Sequence, residues 1–289
     1  MPDAIQNIGI VGAGVMGRGI AEVVITSGLT ATLMDSSEKA LASAVEAVSA
    51  AVERRRAAGE LDNAGARSIL GRLASATHLE SVASASDLAI EAVPEDEALK
   101  REVLAGLGEA APPKTILASN TSALSISRLG EATDRPERFA GFHFMNPVPV
   151  LKLIEVVRGG RTSEATVEAL RALAKRLGKV PVLVNDAPGF VVNRVLMPMI
   201  NEAARLLESG AASVTDIDAA MRLGASHPMG PLALADHIGL DIVLQNLRTL
   251  QVALGASHKP APILERLVAE GALGRKSGRG FHRYRKDTL

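Results

Sequence analysis

Cysteine and tryptophan are missing from this chain, tyrosine occurs once and phenylalanine five times. Without thiols no disulfide and no thiolate-held metal can form, a composition that suits a reducing compartment, and no metal is expected. So few aromatic rings leave little to stack on nucleic-acid bases. An excess of either charge is missing too: 32 Lys and Arg stand against 32 Asp and Glu, so no overall field draws in nucleic acid or an anionic membrane. No apolar run reaches the roughly 18 residues of a membrane span. Only a few residues, Asp3 among them, precede the first apolar run, so neither a secretory signal nor a transit peptide is expected. These absences leave a cytoplasmic protein with a small-molecule partner as the expectation, with no nucleic acid and no membrane. An already processed organellar protein is the alternative. At 289 residues and 47% apolar content, the chain can bury the core of one large domain or of two ordinary ones.

What the chain does have stands at its start. Ile8-Gly9-Ile10-Val11 leads into Gly12-Ala13-Gly14-Val15-Met16-Gly17, and Ile20, Ala21, Val23 and Val24 continue as a helix. In such a turn Gly12 allows the tight reversal, Gly14 lets the backbone approach a pyrophosphate, and Gly17 lets helix and strand pack closely. Val15 and Met16 open the helix, whose first N–H groups and positive dipole end face the phosphates. Asp35, 18 residues past Gly17, ends a second apolar run (Ala31 to Met34), where a carboxylate accepts the adenosine ribose hydroxyls. This order of strand, glycines, helix, strand and acid predicts a dinucleotide site. Asp35 makes NAD the expected cofactor, because a 2′-phosphate beside it would meet a repulsion of about 4 kcal/mol at an effective dielectric constant of about 20. The next residues, Ser36 and Ser37, offer no compensating cation.

After Asp35 the crossover is overlong. Leu41, Val45, Val48 and Val52 fall at helical spacing between Glu38 and Gly59, and a second helix is expected from Asn63 to Leu73. The charged end of the first, Glu53-Arg54-Arg55-Arg56, reads either as a solvated helix face or as a phosphate-binding patch for a substrate with a nucleotide handle. Apolar strands follow at 87–93, 115–119, 139–144, 153–157 and 180–184, and Pro181 in the last suits an edge or first-strand position. A helix is expected between the last two, from Ser163 to Leu177. From Pro188 the pattern turns helical, with stretches at 189–209, kinked by Pro198, and at 216–223, 231–254 and 263–270. The fold class expected is α/β: a doubly wound Rossmann sheet with an inserted helical hairpin, followed by an all-α C-terminal domain. The boundary falls near Asn185 to Ala187, giving residues 1–186 and 187–289, with a small-molecule cleft expected at the junction.

Oxidation of an alcohol against a nicotinamide needs a base. Of six histidines, His143 alone ends an apolar strand, which puts it at the ligand-binding edge of the sheet. Glu155 lies inside the apolar strand LIEVV, where an unpaired carboxylate is costly. An imidazole is a fitting partner: the acid fixes its tautomer and stabilises the imidazolium. The same pair can equally be a structural hydrogen bond. Ser122, in the cluster Ser119-Asn120-Thr121-Ser122, and Asn193, early in the first C-terminal helix, are candidates to complete a polar pocket. Taken singly they read as a helix cap and a surface amide.

Several ordered segments resemble the 3-hydroxyacyl-CoA dehydrogenase family, in particular its bacterial 3-hydroxybutyryl-CoA branch. They are GIVGAGVMGRGIAEV at the start, EAVPED at 91–96, SNTSALSI at 119–126, RFAGFHFMNPVPVLKLIEVVRG at 138–159, DAPGFVVNR at 186–194, HPMGPLALAD at 227–236 and GRKSGRGF at 274–281. The resemblance implies reversible NAD-dependent oxidation of an (S)-3-hydroxyacyl-CoA, with His143 as base and Glu155 orienting it. It further implies Ser122 and Asn193 as substrate partners, Glu95, Lys100 and Lys276 near the cofactor, and Asn146 near cofactor or substrate. A hairpin that helps hold CoA, which would employ Arg54 and Arg55, and a homodimer through the helical domain are implied as well. Departures at Ala272, Leu273, His237 and His282 bear on acyl-chain preference more than on chemistry.

Three rivals stay open. A 3-hydroxyacid dehydrogenase acting on free acids would rely on a lysine in the helical domain, which has only Lys259, Lys276 and Lys286, none in its first helix. The same chemistry could serve a dicarboxylic acyl-CoA or a carrier-protein thioester. A non-catalytic NAD-binding or crystallin-like structural protein is the rival from another class, disfavoured by the intact set of Ser122, His143, Glu155 and Asn193.

Overall fold

Short apolar runs alternating with amphipathic stretches build an eight-stranded sheet. In the computed structural model, which describes residues 5–284, its strands are β1 (Asn7–Val11), β2 (Thr30–Met34), β3 (Leu73–Ala76), β4 (Leu88–Glu91), β5 (Ile116–Ser119), β6 (Phe139–Phe144), β7 (Leu153–Arg158) and β8 (Val180–Asn185). They lie in the order β3-β2-β1-β4-β5-β6-β7-β8. Every neighbouring pair is parallel except β6 with β7. The first six positions follow the doubly wound dinucleotide order, with its reversal between β1 and β4. Every residue of β4, β5 and β6 is buried, as expected of strands covered by helices on both faces. β8 is an edge strand, where the missing N–H of Pro181 is tolerated.

The covering helices are α1 (Val15–Thr26), α2 (Glu38–Ala57), α3 (Asn63–Leu70), α4 (Leu79–Ala83), α5 (Glu97–Ala110), α6 (Ile126–Gly130) and α7 (Glu164–Arg176). α2 and α3 form the expected inserted hairpin. Ser37 Oγ caps α2 by accepting from Ala40 N, and Asp62 Oδ1 caps α3 by accepting from Gly65 N. Leu41, Ala44, Val48 and Val52 of α2 are buried in the core of the sheet domain. The helix expected to run to Leu73 ends at Leu70, and Leu73–Ala76 pairs with β2 instead. Four residues are too few to show strand alternation, and the partner that makes them a strand is the otherwise open edge of β2.

The chain divides into two compact units, Met1–Ala187 and Pro188–Leu289. The second holds α8 (Val192–Glu208), α9 (Val214–Gly224), α10 (Pro231–Ile238), α11 (Leu240–Leu254) and α12 (Pro262–Ala269). Met197, Ile200, Leu232, Leu240, Val243 and Leu247 are among the buried residues of its own core. The single helix expected over 231–254 is two, because Gly239 has φ +105° and cannot continue a right-handed helix. The helix expected from Gly189 begins at Val192, since Phe190 stands at φ +50°. Among the described residues no helix is long and apolar enough to cross a membrane, and no group of three or more metal-ligating side chains is assembled.

Candidate active site

Because β1, β4, β5 and β6 run parallel, their carboxyl ends share one edge of the sheet. Several chemistry-bearing residues of the first unit stand at or next to that edge. After β1, Gly12 turns at φ +107° and its N–H donates to Met34 O at 2.8 Å. A Cβ on Gly17 would lie 1.8 Å from Gly12 O, so the start of α1 is pressed against the loop. At Gly14, the N-cap of α1, a Cβ would have nothing within 4 Å. Val15 is exposed beside it, and Met16 packs on the core. Asp35 follows β2 directly. Its Oδ2 accepts from Ala13 N and its Oδ1 from Ser37 N, both at 2.9 Å. The acid thus holds the glycine loop as well, while each carboxylate oxygen keeps lone-pair capacity for a ribose hydroxyl. These residues fit NAD: an open approach at Gly14, the N–H groups that open α1, and a carboxylate one strand away.

His143 is the fifth residue of β6, and the antiparallel register sets it directly across from Glu155 on β7. Nδ1 and Glu155 Oε2 lie 2.8 Å apart, with the residues only 5% and 1% exposed. With the proton on Nδ1 facing the acid, the basic lone pair sits on Nε2. One strand away, Asn120 Oδ1 accepts from Phe144 N at 2.9 Å, which ties the loop after β5 to the end of β6 beside His143.

Ser122 lies on that loop, half-buried, and its N–H donates to Glu95 Oε1 at 2.9 Å. Glu95 Oε1 also accepts from Thr121 Oγ1 at 2.5 Å and Ala123 N at 3.2 Å. Lys100 is 1% exposed, with Nζ 2.7 Å from Glu91 Oε1, 3.0 Å from Val93 O and 3.3 Å from Glu95 Oε2. Sequence reasoning missed Glu91. It is fully buried, and burial pushes its carboxyl above the ordinary range against the pull of Lys100, Ser119 and Val93 N–H. The signal was present: Glu91 interrupts the apolar strand DLAIEAV as Glu155 interrupts LIEVV.

The remaining candidates lie on other elements of the two units. Asn146 is exposed just after β6 and lines a hollow with Arg18, Gly19, Arg54 and Pro149. Glu22 faces the same hollow, its carboxyl raised by burial despite Arg54 and Arg55. The run of three arginines is partly neutralised: Arg55 Nε pairs with Glu60 at 3.0 Å, and Arg56 is held by Glu53 and Asn63. In the second unit, Asn193 is half-buried in the first turn of α8. Lys276 Nζ is 2.6 Å from both carboxylate oxygens of Asp241. His282 Nε2 lies 2.7 Å from Asp218 Oδ2.

The family model of the 3-hydroxyacyl-CoA dehydrogenase NAD binding domain matches residues 7–187, and that of the C-terminal domain matches residues 189–284. The chain is 45% identical over 285 residues to a probable 3-hydroxybutyryl-CoA dehydrogenase of Bacillus subtilis, covering 98% of this chain and 99% of that one. It is 44% identical over 286 residues to a 3-hydroxybutyryl-CoA dehydrogenase of Bradyrhizobium diazoefficiens, covering 99% and 97%. The crystal structure of (S)-3-hydroxybutyryl-CoA dehydrogenase from Ralstonia eutropha matches with a TM-score of 0.93 at 44% identity, covering 98% of this chain and 100% of that one.

Proposed function

The chain belongs to the 3-hydroxyacyl-CoA dehydrogenase family, and from that premise we propose that it interconverts short-chain (S)-3-hydroxyacyl-CoA, such as 3-hydroxybutyryl-CoA, and 3-ketoacyl-CoA with His143 as general base. The enzyme is an NAD-dependent oxidoreductase. The observation that carries the assignment of the base is the buried 2.8 Å contact between His143 Nδ1 and Glu155 Oε2, at the sheet edge that also bears the glycine loop. When bound, NAD supplies the acceptor for the hydride from C3. His143 Nε2 takes the proton of the 3-hydroxyl, and Glu155 stabilises the imidazolium that results. Ser122 holds the oxygen substituents of the thioester, and Asn193 is assigned a like role by family resemblance. A homodimer and service in fatty acid metabolism complete the reading on resemblance, and a cytoplasmic location on the cysteine-free composition.

A panel of 3-ketoacyl-CoA substrates of increasing length, with one dicarboxylic member and one carrier-protein thioester, tests it through loss of reduced-nicotinamide absorbance. Highest kcat/KM on the four-carbon CoA thioester is expected. Tight NAD binding with no turnover of any thioester would overturn the catalytic assignment. Best turnover of the dicarboxylic or carrier-bound member would overturn the substrate.

The hollow beside α2 supplies a separate test. If Arg54 meets the phosphates of CoA, Arg54→Ala raises KM for acetoacetyl-CoA about fivefold with kcat nearly unchanged, the scale of an exposed charge contact. Acetoacetyl-N-acetylcysteamine, which lacks the nucleotide, should show no such change. Arg55→Ala is expected to do less, because Arg55 already pairs with Glu60. Equal effects on both thioesters would remove Arg54 from the CoA site.

A further inference from the structure

Strand β6 outruns its parallel neighbour. Its pairing with β5 ends where Ser119 meets Gly141, yet β6 runs on to Phe144 beside β7. The last amide of the strand, Phe144 N, is met by a side chain in place of a strand. Asn120, the first residue past β5, reaches across, and its Oδ1 accepts that N–H at 2.9 Å. Asn120 N donates to Glu91 O at 2.8 Å. Its main chain thus continues the β4–β5 ladder while its side chain extends the sheet toward β6. Asn120 is 7% exposed and Phe144 1% exposed, so the bond is made away from water. The polar neighbours serve nearer needs: Ser119 Oγ accepts from Thr121 N, and Thr121 Oγ1 accepts from Leu124 N.

We propose that Asn120 is a positioning residue for His143, fixing the peptide that follows the imidazole and so the direction of Nε2. The proposal rests on the reading of His143 as the base. Successive side chains of a strand point to opposite faces, so His143 stands opposite Phe142 and Phe144. Those two rings meet edge to face with centroids 5.0 Å apart and are buried in the core. Glu155 holds Nδ1 from β7. It fixes one ring nitrogen, whereas the Cα–Cβ direction of His143 belongs to the main chain. That main chain is held by β7 along one side and by Asn120 along the other, at the final residue of the strand. A buried N–H that loses its acceptor is costly, so without Oδ1 the peptide between residues 143 and 144 turns to find another. The imidazole turns with it, and misplacement by about 1 Å can cost about 10²-fold in rate.

Asn120→Leu removes the acceptor with little change of size, and Asn120→Asp keeps one in place. We expect Asn120→Leu to lower kcat about 10–10²-fold on acetoacetyl-CoA and to leave the Kd of NADH within about twofold. Asn120→Asp should stay within about threefold of the parent kcat, because its carboxylate can still accept from Phe144 N. Added to His143→Gln, Asn120→Leu should cost less than about twofold more, because the base it aims is already gone. Added to Ser122→Ala, its loss should multiply. Multiplication with His143→Gln, redundancy with Ser122→Ala, or equal losses in Asn120→Leu and Asn120→Asp would overturn the role of Asn120 while leaving His143 as the base. So would a principal effect on the Kd of NADH. His143→Gln with unchanged kcat would instead sink the assignment of the base, and the proposal with it. If Asn120→Leu does not fold, Asn120→Ala, which adds no bulk, enters the same cycles with the same expected outcomes.

Discussion

His143→Gln is expected to lower kcat for 3-ketoacyl-CoA reduction by about 10²–10⁴-fold while changing the Kd of NADH less than about twofold. The side-chain amide of glutamine can still donate to Glu155, so the buried carboxylate keeps a partner and the β6–β7 pair stays folded. An amide cannot exchange a proton with a hydroxyl near neutral pH, and only that capacity is lost. Steady-state rates from nicotinamide absorbance, with NADH titrated separately by fluorescence, measure the two quantities. Near wild-type kcat in a folded variant would remove His143 from its role. Glu155→Gln is the sharper companion. Glu155 is assigned no contact with substrate, yet an amide facing Nδ1 can donate there and drive the proton onto Nε2, where the base must accept. The comparable acid-to-amide change in hydrolase triads costs about 10⁴-fold. A large loss in Glu155→Gln, not deepened by adding His143→Gln, identifies the pair as one device. A Glu155→Gln enzyme with normal kcat would mean that the 2.8 Å contact is structural only.

Chemistry written in contiguous residues was legible before any coordinates. The dinucleotide loop is such a case: its glycines, the helix they open and the acid after the next strand lie within residues 8–35. The His143–Glu155 pair was legible for a different reason. A carboxylate in an apolar strand must be matched, and an imidazole on the preceding strand is near in sequence. The identical signal at Glu91 led nowhere because its partner, Lys100, sits on α5, an element the residues conceal. In α5 the lysine occupies a buried position while Leu99 beside it is 37% exposed, which breaks the apolar stripe that marks a helix. Resemblance alone places Lys100 and Glu95 near the cofactor, and no sequence pattern shows the buried ion pairs that Lys100 makes with Glu91 and Glu95. The arginine run on α2 shows the converse. A linear count of three cations sees none of the pairing that Glu53 and Glu60 supply once the hairpin folds. The strand β3 was hidden for want of length, since its identity depends on β2 and on no pattern of its own.

Two glycines of one motif should fail in opposite ways when each gains a methyl group. At Gly17 a Cβ would stand 1.8 Å from the carbonyl oxygen of Gly12, a backbone atom in a loop already anchored to Met34 and Asp35. Something must move, and both choices are costly: α1 lifts from β1, or the loop abandons its bonds. Gly17→Ala is therefore expected to lose about 3 kcal/mol of stability, seen as a Tm lower by about 6–12 °C, and to bind NAD weakly because the loop is displaced. At Gly14 the added methyl meets nothing within 4 Å, and the backbone, at φ −67°, suits alanine. Gly14→Ala should melt within about 2 °C of the parent chain. Its defect should appear only with the cofactor, as a rise in the Kd of NAD of about 10²-fold, because the second glycine of the motif is the one the pyrophosphate must approach. Calorimetry and NADH fluorescence on the two variants separate fold from recognition. Unimpaired NAD binding by Gly14→Ala would place the dinucleotide phosphates elsewhere, and an undiminished Tm in Gly17→Ala would mean that the close contact with Gly12 is not present in the folded protein.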